Sequence, residues 1–546
     1  MEEIKQKLGE VVEKLFDIKT EVSVTVAPDN TGADYASNVA MQLAKLVHQA
    51  PMVTAERIKA ELDGEGFGVE VAQPGFLNFT IDEGAILEKA LKYADDLDGE
   101  IKDESYAGKT VVAEFSDPNP FKVLHVGHLY TSVVGDSISR LLELAGARVI
   151  RANFGGDVGL HVGKTMYSLM QKGEKENLTI EDVAKCYVGG TQAYEEDEAA
   201  KAEITKLNKE IYRINAEDVH GEELADLYWR GRELSYEYFE DFYGKIGVKF
   251  DKYYPESAVA DRGVREVRAH TGTTYEESDG AIVYKGEKVG LHTRVFINRE
   301  GVPTYETKDV GLIFTKWDDW HFDESIVVTG NEQADYMKVV LASVSEYAPQ
   351  LVDRTTHLTH GLVKLPGNVK MSSRKGNFLK AVDVLEMINE MVKDENLTLA
   401  AIKYAFLKYK MGGDIVFDPK ESVSTTGNSG IYLLYSAVRA KKILQKCIGE
   451  KYLGEKDTET SSEYEKTLAK KVVQYKDVIQ EAVREKAPYK VCTYLYELAQ
   501  EFSRFYEHVK VAGSEREAEL AKLVKAYLNV MEHGLGLLGI SAPESM

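Results

Sequence analysis

Cysteine is scarce: the 546-residue chain has three, Cys186, Cys447 and Cys492. An odd number without a Cys-x-x-Cys pair excludes a disulfide framework and a cysteine zinc site of the usual spacing. Three buried or half-buried thiols in a cytoplasmic protein are the expectation. Long apolar runs are missing too, which excludes a transmembrane helix. The opening "MEEIKQKLGEVVEKLF" is charged and reads as an amphipathic helix, without the apolar stretch of a secretory signal. Basic charge is short: 67 Lys and Arg face 90 Asp and Glu, a net charge of −23. That excludes a general nucleic-acid coat and leaves open a specific RNA partner held by local patches. There is no low-complexity tract and no internal repeat.

What is present is a multi-domain soluble chain. Apolar residues make up 44% and charged residues 29%, enough for several packed cores. Residues 1–90 alternate helix and strand signals: "DYASNVAMQLAKLV" (34–47) puts Ala36, Val39, Ala40, Leu43 and Val47 on one helical face, and "PGFLNFTI" (74–81) reads as a strand. A charged linker, "DDLDGEIKDESYAGK" (95–109), follows. Residues 105–400 carry sheet signals interrupted at about 160–290 by a charged, aromatic-rich, mostly helical insertion. The sheet is expected to resume with "TRVFI" (293–297) and "SIVVTG" (325–330). Residues 410–546 are dominated by helical periodicity. The fold class expected is α/β: a Rossmann-like doubly wound parallel-sheet catalytic domain with a helical insertion, a small α+β N-terminal domain and an α-helical bundle C-terminal domain.

Histidine is rare, at 12 residues, yet "KVLHVGHLYTS" (122–132) spends two within four positions. Composition alone predicts about 0.02 occurrences of His-x-Gly-His. "TVVAEFS" (110–116) is β-rich, and a loop with Pro118, Asn119 and Pro120 follows. Leu129, Val133, Ile138, Leu141 and Leu142 then recur at helical spacing, Gly146 is a helix-ending residue, and "RVIRANF" (148–154) is a second strand. This is a βαβ unit, with His125 and His128 where strand hands over to helix. Ligands of open α/β sheets bind there. A helix N-terminus offers N–H groups to an anion, Gly127 lets a base or phosphate approach the backbone, and Lys122 adds fixed charge. The group suits charge developing on a phosphate during displacement. Far downstream, "KLPGNVKMSSRKGNFLK" (364–380) gathers Lys370, Arg374 and Lys375 around two serines and a glycine. Such a basic loop suits gripping a polyphosphate, although basic surface loops are usually only solvated.

"HVGH" followed about 240 residues later by "KMSSR" resembles the two signature motifs of class I aminoacyl-tRNA synthetases. "EFSDPNPFKVLHVGH" (114–128), "VIRANFGGDVG" (149–159), "PTYETKDVGL" (303–312) and "GLVKLPGNVKMSSRKG" (361–376) are similar to the arginyl-tRNA synthetase versions. "DYASNVAMQLAK" with "PGFLNF" resembles that family's tRNA-elbow-binding extension, and "GLLGISAPESM" (536–546) its anticodon-binding domain. The resemblance spans nearly the whole chain, with the motifs in family order.

The resemblance implies ATP-dependent activation of L-arginine to arginyl-adenylate, then transfer to the 3′ end of tRNA(Arg) for protein synthesis, with activation requiring bound tRNA. It implies Lys122, His125, His128, Lys370 and Arg374 as catalytic residues. It implies ATP binding by His125, Gly127, His128, Lys370, Met371, Ser372, Ser373 and Lys375, with Mg²⁺ as the ATP counter-ion and no dedicated metal cluster. Glu114, Tyr305 and Asp309 would line the guanidinium pocket, while Ser116 and Asn119 would handle the backbone end. A planar, permanently charged guanidinium needs carboxylates in fork geometry, and Tyr305 and Asp309 are one helical turn apart. Tyr35, Asn38 and Phe76 match family positions for tRNA contact. Tyr432 and Tyr435, beside the basic runs "RAKKILQK" (439–446) and "AKKVVQYK" (469–476), fit equally as stacking platforms for RNA bases and as core. ATP, L-arginine and tRNA(Arg) are the expected partners of a cytoplasmic monomer, with no membrane and no DNA. Three departures stand out. The second motif lacks the lysine of K-M-S-K-S, a charge that Lys122 would supply. Glu332 and Gln333 receive no role. Val126 replaces isoleucine in the first motif, which alters packing only. The competing readings are a synthetase for another amino acid, a small adenylyltransferase and a non-catalytic RNA-binding relative. A small adenylyltransferase would lack the helical C-terminal third, and a dead relative would have lost some of Lys122, His125, His128 and Lys370.

Overall fold

The computed structural model describes residues 2–28, 31–62, 67–81, 83–172, 178–367, 379–447 and 461–546. The chain forms two compact units, one of residues 1–101, 440–478 and 498–530, the other of residues 102–439, 479–497 and 531–546. Among the described residues, no helix is long and apolar enough to cross a membrane.

The first unit pairs a four-stranded antiparallel sheet with helices. Alternation in Phe76–Ile81 buries Leu77 and Phe79 completely against Leu8, Val39 and Ile58. The segment 34–47 divides: Tyr35–Ser37 is a strand, and the helix spans Val39–Ala44. Ala36 therefore lies in the sheet, where it pairs with Asn78. The charged stretch after residue 95 is not all linker, because Leu97–Ile101 forms a short helix that buries Ile101.

In the second unit, five described strands form a parallel sheet. They are β1 (Thr110–Glu114), β2 (Arg148–Gly155), β3 (Lys252–Pro255), β4 (Glu324–Gly330) and β5 (Thr355–His360), in the spatial order β5-β4-β1-β2-β3. The order reverses beside β1, which makes the carboxyl ends of β1 and β4 the expected crevice. Helix α1 (Val126–Leu144) links β1 to β2. It closes as the sequence predicts: Gly146 has φ +90°, Gly146 N–H donates to Glu143 O, and Ala147 N–H donates to Leu142 O.

Four helices follow β2: α2 (Leu160–Gln171), α3 (Ile180–Glu196), α4 (Glu198–Glu217) and α5 (Glu223–Ile246). The insertion is thus helical, but it also contains β3, the edge strand of the main sheet. "KYYP" has no apolar run to betray it. Conversely, "TRVFI" does not rejoin that sheet. Arg294–Ile297 belongs to a separate three-stranded antiparallel sheet, and its exposed Val295 beside buried Phe296 is the alternation of a half-buried strand. "SIVVTG" does rejoin, with Ser325–Val328 buried throughout.

Helices α6 (Glu256–Ala269) and α7 (Tyr305–Trp320) cross in backbone contact. A methyl on Gly263 would strike the carbonyl of Thr307, and one on Gly311 the carbonyl of Val259. Only glycine permits this approach, and it sets the position of the residues on α7.

Candidate active site

The loop from β1 to α1 is held in an unusual backbone path. Ser116, Asp117 and Phe121 are all left-handed, with φ of +74°, +50° and +68°. Such residues are destabilising by about 1 kcal/mol or more each and persist where surrounding contacts over-determine them. Those contacts are present. Ser116 Oγ lies 2.8 Å from the Tyr243 hydroxyl, Asp117 Oδ1 accepts from Phe154 N–H at 2.8 Å, and Asn119 Oδ1 accepts from Gly156 N–H at 2.8 Å. Phe121 N–H donates to Ser235 Oγ at 2.9 Å.

His125 caps α1. Its Nδ1 accepts from Gly127 N–H, and His128 Nδ1 accepts from His125 N–H, both at 3.1 Å. The rings stack with centroids 3.8 Å apart. A ring nitrogen that accepts from N–H carries no proton, so each neutral imidazole holds its proton on Nε2. Burial, with Lys122 nearby, lowers the His125 pKa to about 4. Burial, then His125 and Lys122, lowers that of His128. The pair therefore acts at neutral pH as two uncharged Nε2–H donors, and the positive charge comes from lysines.

Lys122, His125, His128 and Asn119 line a cavity of about 310 Å³, together with Tyr187 of α3 and Lys380. The ammonium of Lys122 lies 4.4 Å from the Tyr187 ring centroid. The segment 379–381 is pinned to the histidine loop: Val126 N–H donates to Leu379 O, and Ala381 N–H to Leu124 O, both at 2.9 Å. Lys370, Met371, Ser372, Ser373, Arg374 and Lys375 lie outside the described residues. Leu379 and Lys380 lie beside the histidine loop, with Lys380 bridged to His125. Strand β5 reaches the same loop, since Thr131 Oγ1 donates to Gly127 O at 2.8 Å and lies 2.7 Å from His360 Nε2.

Lys122 acts electrostatically on the buried Glu256, and Glu256 in turn on Asp309, which couples this cavity to a buried set of carboxylates. Glu114, at the end of β1, accepts from Lys316 Nζ of α7 at 2.5 Å, with both side chains almost wholly buried. Asp309 of α7 is buried and accepts from the Tyr336 hydroxyl. Burial, with Glu114 and Glu256 near, raises the Asp309 pKa to about 8. Asp117 is likewise raised by burial and then by Glu114. Among the described residues, Lys316 pairs with Glu114 and Lys308 with Glu256, so Glu114, Asp117, Glu256 and Asp309 outnumber their cations. Tyr305, at the start of α7, is 54% exposed and stands one turn above Asp309, with Lys308 Nζ 5.1 Å from its ring centroid.

Of the residues the sequence marked for RNA contact, Tyr35 is a core residue, 3% exposed, its hydroxyl donating to Asp477 at 3.1 Å. A buried ring offers no face to a base. Asn38 is half-buried and accepts from Gln42 at 3.1 Å, and Phe76 is exposed. Tyr432 is half-buried, edge-on to Tyr496, while Tyr435 is exposed with Arg439 over its ring. Sequence reasoning missed Tyr187, Lys316, Asp117 and Tyr336, which no local pattern marks. It passed over Lys380, the last residue of the basic segment.

Residues 94–417 match the family "tRNA synthetases class I (R), catalytic domain", residues 433–546 the "DALR anticodon binding domain" and residues 2–81 the "Arginyl tRNA synthetase N terminal domain". An arginine–tRNA ligase of Clostridium botulinum is 32% identical over 571 residues, covering 98% of this chain and 97% of its own. One from Treponema denticola is 28% identical over 600 residues, covering both chains in full. The solved arginyl-tRNA synthetase of Thermus thermophilus has the same fold, with TM-score 0.80 at 23% identity, covering 100% of this chain and 99% of its own.

Proposed function

Since the chain belongs to the class I arginyl-tRNA synthetases, we propose the following division of labour for the activation of arginine and the charging of tRNA. The enzyme joins the arginine carboxylate to the α-phosphate of ATP with loss of pyrophosphate, then passes the arginyl group to the 3′ end of tRNA(Arg) with release of AMP. Three working regions are proposed: 1–90 and 410–546 for tRNA, and 105–400 for catalysis.

The cavity at His125 takes the ATP. Gly127 gives the adenine room. His125 and His128 donate Nε2–H bonds to phosphate oxygens, and these bonds strengthen as charge builds in the transition state. Lys122 and Lys380 supply the charge that two neutral imidazoles cannot. Lys370, Met371, Ser372, Ser373, Arg374 and Lys375 attend the departing pyrophosphate. Mg²⁺ travels as the counter-ion of the ATP phosphates. The guanidinium enters the carboxyl set, with Asp309 as its main partner and Tyr305 covering it. Glu114, already paired with Lys316, contributes field more than contact. Asn119 orients the backbone end of arginine, and Ser116 supports the loop through Tyr243. On the RNA side, Phe76 and Tyr435 offer exposed rings and Asn38 and Tyr432 partial ones; Tyr35 acts by building the fold. The enzyme works as a cytoplasmic monomer.

One observation carries this reading: a cavity with two neutral histidine donors and a lysine is coupled through Glu256 to a buried carboxyl set with more acids than cations. Arginine-dependent ATP–pyrophosphate exchange, with and without total tRNA, tests it. Exchange is expected with arginine and to depend on tRNA. Exchange supported by another amino acid, or none in any condition, refutes the reading, and sedimentation velocity checks the monomer.

A further inference from the structure

His161, at the start of α2, has no part in the scheme above, yet it is built into the same site. It is 7% exposed, and its Nε2 lies 2.7 Å from the carbonyl oxygen of Gly156. A carbonyl only accepts, so Nε2 carries the proton and Nδ1 presents a bare lone pair. That Nδ1 is buried with no hydrogen-bond partner. An unsatisfied buried acceptor is unfavourable unless something arrives to fill it.

The surroundings define the missing group. Gly156 holds two side chains at once, since its N–H donates to Asn119 Oδ1 and its carbonyl faces His161. A methyl on Gly156 would stand 2.6 Å from Asn119 Oδ1 and 3.1 Å from Glu256 Oε1. A methyl on Gly159 would stand 3.5 Å from His161 Nδ1 and 3.8 Å from Lys308 Nζ. Close packing against bare glycine backbone thus gathers three acceptors along the Gly156–Gly159 turn: an amide oxygen, a carboxylate oxygen and an imidazole nitrogen. The neighbouring cation, Lys308, is already matched by Glu256. Glu256 also acts electrostatically on Asp309, which ties this turn to the guanidinium pocket.

We infer that His161 Nδ1 accepts a hydrogen bond from the α-ammonium of bound arginine, in a subsite shared with Asn119 and Glu256. An ammonium has three N–H donors, one for each acceptor. Burial and the nearby Lys122 keep His161 uncharged, which preserves the lone pair. The inference rests on the function proposed above and adds the residue that selects the amino group.

Two near-isosteric variants separate this role from a structural one. His161→Asn keeps an acceptor at the Nδ1 position and loses the bond to Gly156, whereas His161→Gln keeps a donor at the Nε2 position and loses the acceptor. In tRNA-dependent exchange, His161→Asn is expected to hold the arginine KM within about threefold. His161→Gln is expected to raise it about tenfold or more, the worth of a hydrogen bond to a charged group. Inhibition by 5-guanidinopentanoate, which lacks the amino group, is expected to stay unchanged in both. The opposite order, or equal weakening of arginine and the analogue, overturns the inference. Wild-type ¹⁵N spectra give a check that needs no variant: the His161 Nδ1 signal should move on adding L-arginine and not on adding the analogue. No movement with arginine overturns the inference. A wild-type protein without arginine-dependent exchange would bring down the functional reading and the subsite together. Normal exchange with indistinguishable variants would bring down the subsite alone.

Discussion

The Asp309 carboxyl titrates at about pH 8 because it is buried and faces Glu114 and Glu256. A guanidinium stays charged throughout the accessible pH range, so it binds the ionised carboxylate and holds it ionised. Below pH 8 the empty site carries a proton that arginine must displace. The sign follows: arginine affinity rises with pH up to about 8 and then levels. With a pKa of about 8, arginine binds roughly tenfold more weakly at pH 7 than at pH 9, and about a hundredfold more weakly at pH 6. Binding at pH 7 releases about 0.9 proton. Calorimetric titration of the tRNA-bound enzyme with arginine, in buffers of differing ionisation enthalpy, measures both quantities. In Asp309→Asn the pH slope between 6 and 8 disappears and affinity drops at every pH. That control separates Asp309 from the substrate's own amino group and from Lys403, whose pKa burial lowers to about 8. A flat wild-type profile with no proton release, or an unchanged slope in Asp309→Asn, refutes the reasoning.

Other expectations follow from the same geometry. His125→Ala removes a helix cap and lowers stability by about 1 kcal/mol, whereas His125→Asn preserves the cap and still loses the Nε2–H donor. Thermal melts beside single-turnover activation rates check that stability and rate part company. His128→Ala lowers the activation rate by orders of magnitude with little change in arginine affinity; a large affinity loss at unchanged turnover contradicts its transition-state role. Lys316→Met leaves Glu114 buried without its cation and destabilises the protein by about 3–5 kcal/mol in urea titration. Gly311→Ala forces α7 away from α6, destabilises by about 1–3 kcal/mol, and raises the arginine KM by displacing Asp309.

Elements and motifs with local signals are legible in the chain alone. Spacing of Leu129, Val133 and Ile138 marked α1, Gly146 marked its end, and the strand-to-helix handover located His125 and His128. The joint order of motifs pointed to the family. Tertiary structure alone decided which groups meet. Glu114 and Lys316 are 202 positions apart, and no periodicity encodes that pairing. The exposed or buried state of Tyr35 and Tyr435, both tyrosines in amphipathic context, rested on which face each element turned inward. Strand β3 has no legible signal because an edge strand of four residues needs no apolar run, and "TRVFI" joins a sheet other than the expected one because β propensity does not name a partner. The tautomers of His125 and His128 and the raised pKa of Asp309 belong wholly to the fold. Both depend on hydrogen bonds and desolvation that exist only once distant segments have packed.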